Sequence, residues 1–216
     1  MTRVKICDIR STQLVSECVR IGVDMIGIHC VWDASEGPKL ALQREIVSAC
    51  TGLIDVVVVT RQTDPIRVAR MVRAVPSNLV QLHGRWTPEA VVRLRREVSD
   101  SLPPVGFISV VEVSKDGLQM IDEMQDCSDL VLLDSSLVGG SGERGDPEVL
   151  SRCIERLGAT RYLIAGGLRP ENVAEVILSF SPWGVDVQSG VEIPGGGREK
   201  SVPLIERFVR AVRVAL

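Results

Sequence analysis

Five places in the chain carry side chains able to move protons. Cys7-Asp8-Ile9-Arg10 sets a thiol, a carboxylate and a guanidinium side by side. His29 with Cys30, Gln81 with His83, Asp134 and Asp186 each sit on or at the end of a short apolar run. A thiolate forms readily in an electropositive site, which Arg10 and the amides of a glycine loop would supply for Cys7, so Cys7 is the candidate base. A carboxyl emerging from an apolar strand is suited to general-acid work, so Asp134, directly after "LVLL", is the candidate acid. The plainer alternatives are a loop-capping carboxylate for Asp134 and a structural role for His83. No C-x-x-C pair occurs and the two histidines are isolated, so no metal site is expected. The other five cysteines are expected to be small buried hydrophobes.

Glycines concentrate in the last third: "GGSGERGD" at 139–146, "AGGLRPEN" at 165–172 and "QSGVEIPGGG" at 188–197. Glycine lets backbone amides approach an anion, and a helix start behind the loop adds a favourable dipole. A phosphate ester is therefore expected on Gly166, Gly167, Ser189 and Gly190, with Gly140 and Gly142 as further phosphate-binding candidates. The stretch 140–145 also matches G-x-G-x-x-G. It follows the sixth predicted strand, whereas a dinucleotide fold places the motif after the first, so no dinucleotide is expected.

These residues need a frame. Apolar runs at 4–9, 25–30, 54–59, 79–82, 105–110, 130–134, 162–165 and 185–187 read as strands. Between and after them, 12–21, 40–49, 65–75, 87–98, 115–124, 147–157, 170–180 and 202–214 read as helices. Asp64-Pro65 and Thr87-Pro88 are cap-plus-proline helix starts. Near-continuous Val/Ile/Leu strands joined by helical crossovers imply a parallel sheet covered on both faces. Eight such units close into a (β/α)8 TIM barrel, for which 216 residues is about the minimal length. A doubly wound open sheet is the rival. Without a linker or composition shift, the expectation is a single domain over 1–216. In a barrel the candidate groups and the glycine loops share one rim, at the C-terminal ends of the strands.

Composition narrows the function. Net charge is −3 and the aromatics are three Phe, three Trp and one Tyr. That disfavours nucleic acid and anionic membranes as partners. The N-terminus lacks a secretory apolar stretch, and a cytoplasmic location is expected. Trp32, Trp86 and Phe107 are among the few rings available to a pocket.

In order along the chain, "VKIC", "VQLHG", "LLD", "GGSG", "AGGLRPENV" and "GVDVQSGVE" resemble the phosphoribosylanthranilate isomerase family of tryptophan biosynthesis. The resemblance implies a (β/α)8 barrel that performs an Amadori rearrangement of an N-ribosyl phosphate, without cofactor or metal, as a monomer or homodimer. It implies Cys7 as base, Asp134 as acid, phosphate loops on Gly166, Gly167, Ser189 and Gly190, and Asp186 near the substrate; Gln81 and His83 are further candidate substrate-binding residues. The chain also departs from the family pattern. Asp8 replaces a glycine and Arg10 a threonine. Glu36 stands where the family carries a substrate-holding arginine. "GIHC" replaces an apolar-aromatic run, Gln188 replaces a serine, and the lysine common near the end of strand five is missing. Arg10, pointing inward, and Glu36 are therefore candidate substrate-binding residues; the alternative for Arg10 is a pair with Asp8 that leaves the pocket neutral. Three readings stay open: the family reaction, related acid–base chemistry on a different ribosyl phosphate, and a non-catalytic phosphate-sugar binder.

Overall fold

The computed structural model describes residues 1–30, 37–100, 104–114, 116–135 and 146–215. Eight strands follow in order: β1 (Arg3–Ile6), β2 (Met25–His29), β3 (Asp55–Thr60), β4 (Leu79–Leu82), β5 (Gly106–Glu112), β6 (Leu130–Asp134), β7 (Tyr162–Ala165) and β8 (Gly184–Val187). Each is followed by a helix: α1 (Thr12–Ile21), α2 (Gly37–Cys50), α3 (Pro65–Ala74), α4 (Pro88–Glu97), α5 (Gly117–Met124), α6 (Pro147–Leu157), α7 (Val173–Phe180) and α8 (Val202–Val214). The strands pair in sequence order, all parallel, and β8 returns to β1, so the sheet is a closed (β/α)8 barrel. The open doubly wound sheet is excluded.

The side-chain period of two divides each strand between two cores. Val4, Ile6, Ile26, Ile28, Val56, Val58, Val80, Leu82, Val131 and Leu133 face outward and pack with the helices. Met25, Val57, Val59, Ile108, Val110, Leu130, Leu132, Leu163 and Ala165 fill the barrel interior. Continuing the inward parity toward the C-terminal rim reaches Cys7, His29, Gln81, His83, Glu112, Asp134 and Asp186. The outward parity takes Phe107 into the outer core, where the Arg95 guanidinium lies 4.8 Å from its ring centre. Trp86 is buried in that outer core too, so neither ring belongs to the pocket, and Trp32 lies outside the described residues.

Local chemistry sets the helix starts. Ser11, Asp64, Thr87, Asp146 and Ser201 each cap a helix with a side-chain oxygen that accepts from a first-turn amide. Among the described residues, no helix is long and apolar enough to cross a membrane.

Candidate active site

The site is built from strand ends, beginning with β1. Lys5 is fully buried, with its Nζ 3.0 Å from both carboxylate oxygens of Asp186 on β8. Burial pulls the ammonium toward neutrality, but the attraction of Asp186 and of Cys7 prevails and leaves Lys5 raised. Two residues on, Cys7 is buried with its Sγ 3.5 Å from His29 Nε2 at the end of β2.

A glycine on β2 lets these groups fit together. A Cβ added to Gly27 would lie 2.9 Å from Cys7 Sγ and 3.0 Å from Lys5 Nζ, so a glycine is needed at that place on β2. Arg10, expected to be the electropositive neighbour of Cys7, does not take that role. Lys5 does, assisted at longer range by Lys200, and against the opposing charge of Asp186. Burial is the larger influence and pushes the thiol up to about 11.

Arg10 is held elsewhere. Its Nε and Nη2 donate to the two oxygens of Asp8 at 3.0 and 2.7 Å, a bidentate fork on the rim. Asp8, two residues past the end of β1, has φ +65°, a conformation that favours glycine. The two departures from the family pattern at this loop thus complete each other: the aspartate in the glycine position is held by the arginine in the threonine position. Burial raises Asp8, but the Arg10 fork and the nearby His29 outweigh it and hold its carboxyl below the usual range. Beside this pair, Arg10, Arg198 and Lys200 line a cleft of about 580 Å³ on the rim.

The other strand ends complete the mouth. Asp134 closes β6, partly buried, in register with Ala165 of β7. Gln81 on β4 is buried and points inward, and its Oε1 has no hydrogen-bond partner among the described residues. His83 follows, its amide donating to Thr60 O at 2.9 Å. Burial lowers its imidazole pKa, against the pull of Asp134.

After β7, Gly166 and Gly167 take φ +91° and +63°, and Asn172 ties the turn by accepting from Arg169 N and donating to Gly167 O. After β8, Ser189 and Gly190 form a short 3-10 turn. A Cβ on Gly190 would collide with the carbonyl oxygen of Leu168, so the two glycine loops pack directly on each other. Lys200, buried, donates to Gln188 O and Glu192 Oε1, both at 2.9 Å, and pins the second loop. Glu36, Gly140 and Gly142 lie outside the described residues.

The sequence reading missed Lys5, Glu112 and Lys200. Lys5 is a cation inside the apolar run "VKIC", and that was the available signal.

The model of the family described as N-(5'-phosphoribosyl)anthranilate (PRA) isomerase matches residues 4–211. The chain belongs to the PRA isomerase family. It is 33% identical over 220 residues to the N-(5'-phosphoribosyl)anthranilate isomerase of Methanocella arvoryzae, covering 99% of each chain. The phosphoribosyl anthranilate isomerase of Thermotoga maritima has a similar structure, with TM-score 0.79, 26% identity, and coverage of 99% of this chain and all of that one. A family structure solved with reduced 1-(o-carboxyphenylamino)-1-deoxyribulose 5-phosphate shares the fold at TM-score 0.77 and 24% identity, again over 99% of this chain and all of that one.

Proposed function

We propose that this chain isomerises N-(5'-phosphoribosyl)anthranilate to 1-(o-carboxyphenylamino)-1-deoxyribulose 5-phosphate. The observation that carries the reading is the inward parity of Cys7, one residue past β1, and of Asp134 on β6, at the rim where the glycine loops after β7 and β8 also emerge. A thiol and a carboxyl on separate strands can work on two atoms of one ribose. Membership of the PRA isomerase family agrees with this, as does the family structure that holds a reduced form of the same aminoketose phosphate.

In the proposed reaction the Asp134 carboxyl gives a proton to the ribose ring oxygen. The C1'–O bond breaks, and the anthranilate nitrogen's electron pair forms the C1' iminium. Cys7 then takes the proton from C2', and the released electron pair becomes the C1'–C2' double bond. Reprotonation at C1' and loss of the hydroxyl proton at C2' give the ketone. Solvent restores the proton to Asp134.

Gly166, Gly167, Ser189 and Gly190 are assigned to the phosphate, and Gly140 and Gly142 to the same task from their sequence position. Gln81, His83 and Asp186, on the inner wall, are assigned to the ribose. Glu36 retains its assignment to the anthranilate end. Arg10 retains its assignment to substrate binding, with its guanidinium held by Asp8. The test is conversion of N-(5'-phosphoribosyl)anthranilate by the purified chain, with the aminoketose identified by mass spectrometry. Formation of that product supports the reading. No product under conditions where a family relative gives it overturns the reading.

A further inference from the structure

We propose that the imidazole of His29 accepts the thiol proton of Cys7 as Cys7 removes the proton from substrate carbon, a role that rests on the isomerase reading above. The argument begins with register. β1 pairs with β2 through Lys5↔Met25 and Ile6↔Ile26. Cys7 therefore continues beside Gly27, and the next inward side chain on β2 is His29. Gly27 has no side chain to separate them, and Sγ rests 3.5 Å from Nε2. The backbone of His29 is fixed from α2, where Gln43 Nε2 donates to its carbonyl at 2.9 Å. This histidine stands within "GIHC", where the family pattern is apolar, so the contact arises from this chain's own departure.

Chemistry requires such a partner. The buried thiol, pushed up to about 11, holds its own proton at neutral pH. A protonated sulfur takes the C2' proton only if it gives up the one it has. Desolvation lowers His29 below its ordinary value, so its ring is neutral and has a lone pair to offer at neutral pH. The charged groups facing His29 are Asp8, which favours the imidazolium, Lys5 and Arg198, which oppose it, and Asp186, which favours it. Those facing Cys7 are Lys5, Asp186 and Lys200.

The step balances as follows. The C2'–H bond breaks and its electron pair forms the C1'–C2' double bond, which neutralises the iminium. The C2' proton bonds to Sγ while the original thiol proton moves to Nε2. The imidazolium, steadied by Asp8, then releases its proton to solvent, to which His29 is exposed. His29 touches no substrate atom in this scheme and acts through Cys7.

Two measurements test it, one without substrate. The chain has two histidines, so ¹⁵N-histidine spectra resolve His29 from His83, with His83→Asn as the assignment control. The expected result is a neutral His29 ring carrying its proton on Nδ1, with nitrogen shifts and titration midpoint that move in Cys7→Ala. A neutral ring protonated on Nε2, or an identical titration in Cys7→Ala, overturns the proposal. In turnover, His29→Asn is expected to lower kcat about 100-fold with KM little changed. It is also expected to remove the acid limb of the pH profile, with activity rising instead into the alkaline range where the thiol ionises unaided. A variant with the wild-type pH profile overturns the proposal, since a merely structural loss would leave that limb in place. If the wild-type chain does not turn over N-(5'-phosphoribosyl)anthranilate, the isomerase reading falls, and the spectra still decide the Cys7–His29 couple.

Discussion

Lys5 and Asp186 stand 181 positions apart in sequence and form a buried ion pair, with Lys5 Nζ 3.0 Å from each carboxylate oxygen. The pair exists because β8 closes onto β1 in the register Lys5↔Asp186. It fastens the seam of the barrel and places a permanent cation next to the Cys7 thiol. Removing one partner leaves the other charge buried without compensation. Lys5→Met is therefore expected to cost about 3–5 kcal/mol of stability, and Lys5→Met combined with Asp186→Leu distinctly less. Urea unfolding of the single and double variants checks this. Equal losses in the two would show that the charge pair is not what closes the seam.

The Asp8 loop makes a second expectation. A non-glycine residue at φ +65° is strained, and the Arg10 fork is what offsets the strain here. Asp8→Ala keeps the strain and loses the fork, with an expected cost of about 1–2 kcal/mol. Asp8→Gly loses both and is expected to stay within about 0.5 kcal/mol of the parent chain. Midpoints of chemical denaturation at constant m-value distinguish the two substitutions. An alanine variant as stable as the glycine variant would remove strain from the explanation.

Gly190 tests the phosphate loops. Its missing side chain lets the turn after β8 lie on the Leu168 carbonyl. Gly190→Ala must push the loops apart, at an expected cost of about 1–3 kcal/mol. KM for the phosphorylated substrate is expected to rise several-fold, with a smaller change in kcat. A kinetic profile identical to the parent chain would place the phosphate elsewhere.

Alkaline pH probes the buried thiols. Burial pushes Cys7 and Cys50 up to about 11 and Cys18 and Cys30 up to about 12. The unfolded thiols ionise near 9, so between there and 11–12 the unfolded chain binds fewer protons than the folded one. Stability is therefore full below about pH 9 and falls as pH rises, by up to about 1.4 kcal/mol per pH unit for each such thiol. Denaturation midpoints at pH 8 and pH 10 read the slope, and Cys18→Ala is expected to make it shallower. A flat profile would contradict the burial of these cysteines.

Much of the frame was legible because its signals are local. Asp64-Pro65 announces the start of α3, where Asp64 accepts from Ile66 N at 2.8 Å, and the run "LVLLD" is β6 residue for residue. The misses have physical causes. The first strand was expected to reach Ile9, but the left-handed turn at Asp8 ends it at Ile6. The seventh helix was expected from Pro170, but Asn172 first ties down Arg169 and Gly167, and α7 starts at Val173. At the rim, the inward direction of Asp134 and Asp186 was legible because they stand on strands, where parity decides the direction, and Cys7 keeps that parity one residue past β1. The role of Lys5 was hidden because its partner arrives only when the barrel closes. For Arg10 the sequence left two directions open, inward to the pocket or onto Asp8, and the fork at 3.0 and 2.7 Å takes the second.

The central claim is that Cys7 and Asp134 act as base and acid on one substrate. Its most direct test is kcat/KM for N-(5'-phosphoribosyl)anthranilate in the parent chain, Cys7→Ser and Asp134→Asn, with folding of each verified by circular dichroism. The account predicts turnover by the parent chain and a loss of about 10²–10⁴-fold in each variant, with both proteins folded. Turnover by either folded variant at the parent rate would contradict it.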